Sequence, residues 1–423
     1  MSTPKPTDSI PKSPPSTART RAPSSRATVE QAWKWIDSTA SQFASERVSL
    51  IDAAGRVLAA DVSSAVDVPS FSRAMIDGFA LHANDTFGAT VYSPLTLAVV
   101  GESLPGKPFA ERIQVGEAVR VIAGAPVPEG ADAILPAERV DVHGDILAVL
   151  DEVPPAKHVG EVGEDIKSGT KLLSRGRRLR PQDLGVLSSI GLGEIEVVCP
   201  PRVRIVVTGN ELLKAGSASS GSKIADANGP MLASLVKRDG GLVDFPGLTS
   251  DDPDELLAAM WSDAEVILVS GGSSLGQDDF APTLLATYGE LPIQGIAMRP
   301  ICPAGLGLLE SRLVILLPGN PLACLCAYDL FAGRAIRLLG GRQADWPYRR
   351  VTLPLARKLV SQNGRADYAR VRIVDGLVEP LAGGAAALSS SVKADGFILV
   401  PTDCDGLAQG ALVDVLLYDR AES

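Results

Sequence analysis

Three short stretches of this 423-residue chain combine naked backbone, hydroxyls and carboxylates. The first is Thr208-Gly209-Asn210-Glu211. The second is Ser270-Gly271-Gly272-Ser273-Ser274-Leu275-Gly276, with Asp278 and Asp279 just beyond it. The third is Pro318-Gly319-Asn320-Pro321. Glycine lets a backbone approach a ligand closely, and successive N–H groups in such turns make a nest for an anion. A helix opening after Pro321 adds the positive end of its dipole. Glu211 and Asp279 offer oxygen ligands to a hard cation. Magnesium suits them, because it commonly bridges one or two carboxylates and a phosphate. Taken singly, each stretch has a plainer reading: a turn, a solvated Asp-Asp pair or an N-cap. Three of them at successive strand ends point to a site for a phosphate and a divalent cation. No GxxxxGK[ST] stretch occurs, which sets aside an ordinary P-loop nucleotidase. No GxGxxG with its ribose-binding acid stands in place, which argues against a nicotinamide enzyme.

The elements that must position these loops alternate between strand and helix from Pro201 onward. RVRIVVTG (202–209), residues 242–245, EVILVSGG (265–272) and LVILLPGNP (313–321) read as strands. GPMLASLVKRDG (229–240), PDELLAAMWSD (253–263) and 322–339 read as helices. That rhythm predicts a mainly parallel sheet covered by helices, which places its ligands at the carboxyl ends of the strands. Ahead of it, Thr28 and Gln31 resemble a capping box opening a helix that runs to about Phe43. Residues 62–158 carry short β-type runs separated by Gly and Pro and predict a β-rich domain. Residues 159–200 return to helix, with Pro181 in a first turn. After about Asp345, RRVTLPLA, ARVRIV, GFILVP and ALVDVLLY predict a C-terminal β domain. Residues 1–27, rich in Pro, Ser, Thr, Lys and Arg, predict a disordered tail.

Composition sets the broader class. A chain of this length needs two to four domains. Hydrophobic content of 45% and charged content of 21% are those of a soluble globular protein. The net charge of −10 argues against a general nucleic-acid binder. Five cysteines without metal-ligand spacing predict reduced, buried thiols. No apolar run approaches the ~18 residues of a membrane span, and the N-terminus lacks a leader's apolar core. A cytoplasmic protein is expected.

TGNEL (208–212), SGGSSLGQDD (270–279) and LPGNP (317–321), in this order, resemble the molybdopterin molybdenumtransferase family, which is MoeA in bacteria and the gephyrin E-domain in animals. DVPSFSRAMIDGFAL (67–81), GAPVPEGADAILP (124–136), GEDIKSGTKLL (163–173), KIADAN (223–228), GRADYARVRI (364–373) and SSSVKADGFILVP (389–401) are similar to further motifs of that family. The resemblance covers about residues 28–420. It implies a multidomain α/β protein in several parts: a helical linking domain (28–61 plus 159–200), a β-rich inserted domain (62–158), a three-layer α/β molybdopterin-binding domain (201–342) and a C-terminal β-barrel-like domain (343–423). It implies a homodimer and a cleft shared between subunits. It implies insertion of molybdate into adenylylated molybdopterin, with loss of AMP and help from Mg2+. Molybdopterin adenylyltransferase and molybdoenzymes are the partners it suggests, with no nucleic acid and no membrane.

By motif position the resemblance assigns the cation to Glu211 and Asp279, and chemistry to these two with Asp226 and Asp77, the last reaching across the dimer. Asp278 is left as a solvent-facing neighbour. Gly271, Gly272, Ser274 and Gly276 would hold the pterin phosphate, beside Thr208, Gly209 and Ser270. Asp226, Pro318, Gly319 and Asn320 would shape the pterin pocket, and Arg299 would retain one positive charge for the substrate. The chain also departs from the family pattern. Asn210 replaces an Asp, Ala123 a Thr and Ala323 a Ser. Gly295 stands where many members have Lys, and Ile301 and Cys302 replace Gly and Lys. A lost charge-assisted contact weakens oxyanion binding by ~1.5–3 kcal/mol. Cys302 offers a soft sulfur in exchange. Two functions follow: an active molybdenum insertase, or a non-catalytic relative that binds molybdopterin or finished cofactor and hands it to a target enzyme.

Overall fold

A computed structural model describes residues 26–41, 44–272, 280–381 and 388–418. The chain divides into two compact units. One is Arg47–Val197; the other joins the first 46 residues to Val198–Ser423.

In the larger unit, β1 (Arg202–Thr208), β2 (Leu242–Asp244), β3 (Val266–Ser270) and β6 (Arg312–Leu317) are parallel, in the order β2-β1-β3-β6. β5 (Gly305–Leu309) and β4 (Glu290–Gln294) continue the sheet antiparallel beyond β6. Every residue of β3 is buried, as expected of a strand covered on both faces. Alternation divides the strands between two cores. Val203, Ile205, Val207, Val266 and Leu268 pack with Leu232 and Val236 of α2 (Asn228–Asp239). Val206, Ile267, Val269 and Val314 pack instead with Leu256 and Leu257 of α3 (Pro253–Met260) and Leu284 and Leu285 of α4 (Ala281–Tyr288). The result is the expected three layers, each buried aliphatic side chain contributing roughly 1.5–3 kcal/mol.

β4 and β5 were not foreseen. Gly305 and Gly307 blur the β signal of their segment, yet they serve the sheet: a Cβ on Gly307 would lie 2.0 Å from the Glu290 carbonyl oxygen. The helix after Pro321 is α5 (Pro321–Ala327). It runs through a π turn at Tyr328–Ala332 into α6 (Gly333–Leu339).

The capping box at Thr28 is formed: Gln31 N donates to Thr28 Oγ1 at 3.2 Å and Thr28 N to Gln31 Oε1 at 2.9 Å. Its helix, α1 (Val29–Thr39), ends short of the Phe43 expected; Phe43 itself lies outside the described residues. Val29, Ala32 and Ile36 join the same core as α2, and Trp33 Nε1 donates to the Leu330 carbonyl at 2.8 Å.

The C-terminal strands Arg349–Pro354, Ala366–Val374, Leu377–Pro380, Gly396–Val400 and Leu412–Leu417 form a second sheet, to which Met298–Arg299 adds beside Ala366 and Asp367. A buried polar cluster ties it to the α/β part. Arg238 reaches Asp239 and Asp329, and Tyr348 donates to Asp329 at 2.9 Å.

The Arg47–Val197 unit holds a six-stranded sheet in the order Ala133–Pro136, Gly78–Leu81, Glu117–Val121, Leu95–Ser103, Ile146–Val149, Val140–His143. Phe79, Leu81, Leu97 and Leu135 fill its core. A second core gathers Leu58, Leu179 and Leu187 around the helix Pro181–Ser189. No helix among the described residues is long and apolar enough to cross a membrane.

Candidate functional site

β1, β3 and β6 are neighbours in register, Val207 beside Ser270 and Ser270 beside Leu317, so the loops that follow them emerge together. They touch through backbone. Gly271 has φ +94°, and a Cβ there would sit 2.1 Å from the Thr208 carbonyl oxygen. Only glycine permits that approach. A Cβ on Gly319 would in turn lie 3.5 Å from the Cα of Gly271.

The three loops enclose a cleft of about 300 Å³. Thr208, Gly209, Glu211, Asp226, Ser270, Gly271, Gly272 and Gly319 all line it. Pro318 is buried just behind, and Asn320 is exposed at the mouth of the third loop. Asn320 Oδ1 accepts from Leu322 N and Ala323 N, both at 3.1 Å. Two of the amides that start α5 are thus taken by its own cap. Asp226 is 5% exposed and accepts from Gly229 N at 2.9 Å. Glu211 is exposed and makes no hydrogen bond through its carboxylate among the described residues. Ser274, Gly276 and Asp279, and with them Asp278, lie outside the described residues.

Two further residues belong to the cleft. Asp251 holds the first loop, with Thr208 Oγ1 at 2.7 Å from one carboxylate oxygen and Asn210 N donating to the other at 2.8 Å. Its neighbour Asp252 caps α3, so Asp251-Asp252 reads in sequence as a helix start and hides the second role. Asn228 spans the other two loops: its Nδ2 donates to Ser270 Oγ at 2.8 Å and to the Gly319 carbonyl at 2.9 Å. Its place as the last residue of KIADAN was the available signal.

Arg299 does not join this cleft. It lines another cavity of about 330 Å³, with Pro300, Cys326, Tyr368 and Arg370. Both its prongs donate to Asp367 at 2.8 Å, and that pairing raises the guanidinium's already high pKa. The Cys302 thiol donates to the Met298 carbonyl at 3.2 Å. None of the five cysteines forms a disulfide; three are half-buried rather than buried, and burial pushes Cys324 up to about 12. Asp77 lies in the Arg47–Val197 unit, exposed, accepting from Ala123 N at 2.8 Å.

Three family descriptions match in succession. They are the MoeA N-terminal region (domain I and II) over residues 27–191, a probable molybdopterin binding domain over 204–337 and the MoeA C-terminal region (domain IV) over 352–418. A putative molybdopterin biosynthesis protein of Methanocaldococcus jannaschii is 31% identical over 384 residues, covering 88% of this chain and 92% of its own. The chain belongs to the molybdopterin molybdenumtransferase family. That family is one of transferases in molybdenum cofactor biosynthesis. A molybdopterin molybdenumtransferase from Haemophilus influenzae is 33% identical over 307 residues, 71% of this chain and 75% of its own. The fold agrees: a MoeA protein structure from Pyrococcus horikoshii matches with a TM-score of 0.83 at 30% identity, over 94% of this chain and all of the other.

Proposed function

We propose that this molybdopterin molybdenumtransferase inserts molybdenum from molybdate into the dithiolene of adenylylated molybdopterin, with release of AMP. Two Mo–S bonds form as the two dithiol sulfurs give up their protons, which leave with one molybdate oxygen as water; a second water adds its oxygen to the phosphoanhydride phosphorus, so that AMP leaves and the pterin keeps a monophosphate. The observation that carries the reading is the meeting of three strand-end loops, with carboxylates, at one cleft. Such a reaction asks for positioning and charge neutralisation more than for a strong nucleophile. The backbone at Gly209, Gly271, Gly272 and Gly319 is bare enough for a phosphate to approach, and by motif position the resemblance adds Ser274 and Gly276 to its contacts. By motif position the resemblance gives Pro318 and Asn320 a share in the pterin pocket.

A divalent cation fits these residues. Glu211, Asp226 and Asp251 line one cleft with hard oxygen donors. Among the described residues no three metal-ligating side chains stand close enough to hold an ion unaided, but magnesium needs only one or two carboxylates beside substrate phosphates. Glu211 and Asp279 would hold it, and its bound charge would neutralise the phosphates. Thr208 and Asp251 fix the loop that carries Glu211, and Asp226 is the buried carboxylate at the end of the short strand paired beside it. The resemblance also carries a homodimer in which Asp77 serves a second copy, and the division at residues 61, 158, 200 and 342; the composition suggests the cytoplasm.

A second reading has its own observation. Arg299 is neutralised by Asp367 and Cys302 is tied to backbone, so the stretch that carries positive charge in the family offers no free cation here. A non-catalytic relative that delivers cofactor would tolerate this. Complementation of a bacterial strain lacking its molybdenum insertase separates the two. Restored molybdoenzyme activity supports insertion, and failure with normal protein levels supports delivery.

A further inference from the structure

Asn228 is 6% exposed and lines the cleft. The Gly319 carbonyl it faces can only accept, so the nitrogen of the side-chain amide must point there and the amide's orientation is fixed. Both Nδ2 hydrogens are then spent, on Gly319 and Ser270. Oδ1 is buried without a hydrogen-bond partner. Among the described residues no donor is bonded to it, and the Ser270 hydroxyl beside it accepts from Nδ2 and lies 3.7 Å from the Cys324 sulfur. A buried acceptor left empty costs stability and calls for an explanation.

From this geometry we infer that Asn228 Oδ1 accepts a hydrogen bond from a ring or exocyclic N–H of the bound pterin. The inference rests on the molybdopterin reading above and deepens it. The phosphate and dithiolene ends of that molecule carry negative charge and acceptors, which a carbonyl oxygen repels. The pterin bicycle carries N–H donors. Asn228 therefore places the ring, not the phosphate, between Ser270 and Gly319. The same side chain braces the two loops through Nδ2, so a test must part the brace from the contact.

Titration of molybdopterin, followed by pterin fluorescence, into the parent, Asn228→Ala and Ser270→Ala does so. Ser270→Ala removes one strut of the brace and leaves Oδ1 in place. Asn228→Ala should weaken molybdopterin roughly tenfold to a hundredfold, and by more than Ser270→Ala does. Equal losses in the two variants would reduce Asn228 to a brace. A loss for AMP alone would give the contact to the adenine amine. Should Asn228→Ala not fold, asparagine labelled with carbon-13 in the parent gives the readout. The Asn228 Cγ resonance moves with molybdopterin and not with AMP, and a resonance that stays put overturns the contact. A parent that binds no molybdopterin brings down the proposed function as well. A parent that binds while Asn228→Ala binds equally well brings down this contact alone.

Discussion

Arg299 and Asp367 form a two-pronged ion pair, each N–H···O separation 2.8 Å, joining the segment after β4 to the C-terminal sheet. The pair is partly solvated, with Arg299 44% exposed, so it adds only ~0.2–1 kcal/mol of stability. Its larger effect is on charge. Asp367→Asn should leave the melting temperature nearly unchanged and, with Arg299 outside the cleft, leave the KM for molybdate unchanged although the guanidinium is freed. A KM several-fold lower would put Arg299 in the oxyanion's path.

Gly271→Ala forces a Cβ against the Thr208 carbonyl in a backbone conformation that L-residues adopt at a cost of ~1–3 kcal/mol. The loop must move. The expected result is a hundredfold or greater fall in kcat/KM, about 2.7 kcal/mol of transition-state stabilisation, with a folded protein by circular dichroism. Activity near the parent's would show that this loop does not define the site.

Asp251→Ala releases Thr208 and Asn210 at once. Each lost charge-assisted hydrogen bond is worth about 1.5–3 kcal/mol, so kcat/KM for molybdopterin conversion should fall by at least tenfold. Asp252→Ala, next door, removes only the cap of α3. It should cost ~1 kcal/mol in unfolding free energy and leave kinetics intact. Similar kinetics for the two variants would cancel the distinction drawn between them.

How much of this was legible beforehand depends on the range of each contact. The runs Val203–Val207 and Val266–Val269 announce buried strands by composition, and the loops after them follow from chain order. The brace at Asn228 does not, because its partners lie 42 and 91 residues away and only the sheet brings them together. Asp251 was masked by the stronger local signal of Asp252. The strands at 290–309 were hidden by glycines chosen for close backbone approach, which weakens the β pattern they belong to. Trp33 binds a carbonyl 297 residues on, so α1's burial in the α/β core could not be read from its own periodicity.

Asp329 is fully buried between Arg238, Tyr348 and Tyr368. Removing one partner of such a pair leaves an uncompensated charge and costs about 3–5 kcal/mol. Asp329→Ala should therefore lower the denaturant midpoint sharply and loosen the C-terminal sheet, visible as new hydrogen exchange in Arg349–Pro354. A midpoint within error of the parent would show the cluster to be energetically idle.

Asp183 sits at 5% side-chain exposure, gripped by Arg177 and Arg180. The hydrogen bond from Arg177 is the main cause holding its carboxyl well below the ordinary 3.8. A depressed carboxyl contributes stability above its unfolded value, and that contribution is lost as pH falls below it. Asp183→Asn should destabilise by on the order of 1–2 kcal/mol at pH 7, since both arginines are partly solvated. The gap from the parent should shrink toward pH 2. A gap constant with pH would mean that the charge is not what matters there.

Molybdenum insertion is tested by incubating the purified protein with adenylyl-molybdopterin, molybdate and Mg2+ and measuring AMP. AMP release should require molybdate and the cation and be lost in Glu211→Ala. Adenylate left intact under those conditions, by a protein that nonetheless binds molybdopterin, contradicts it and leaves the delivery role in its place.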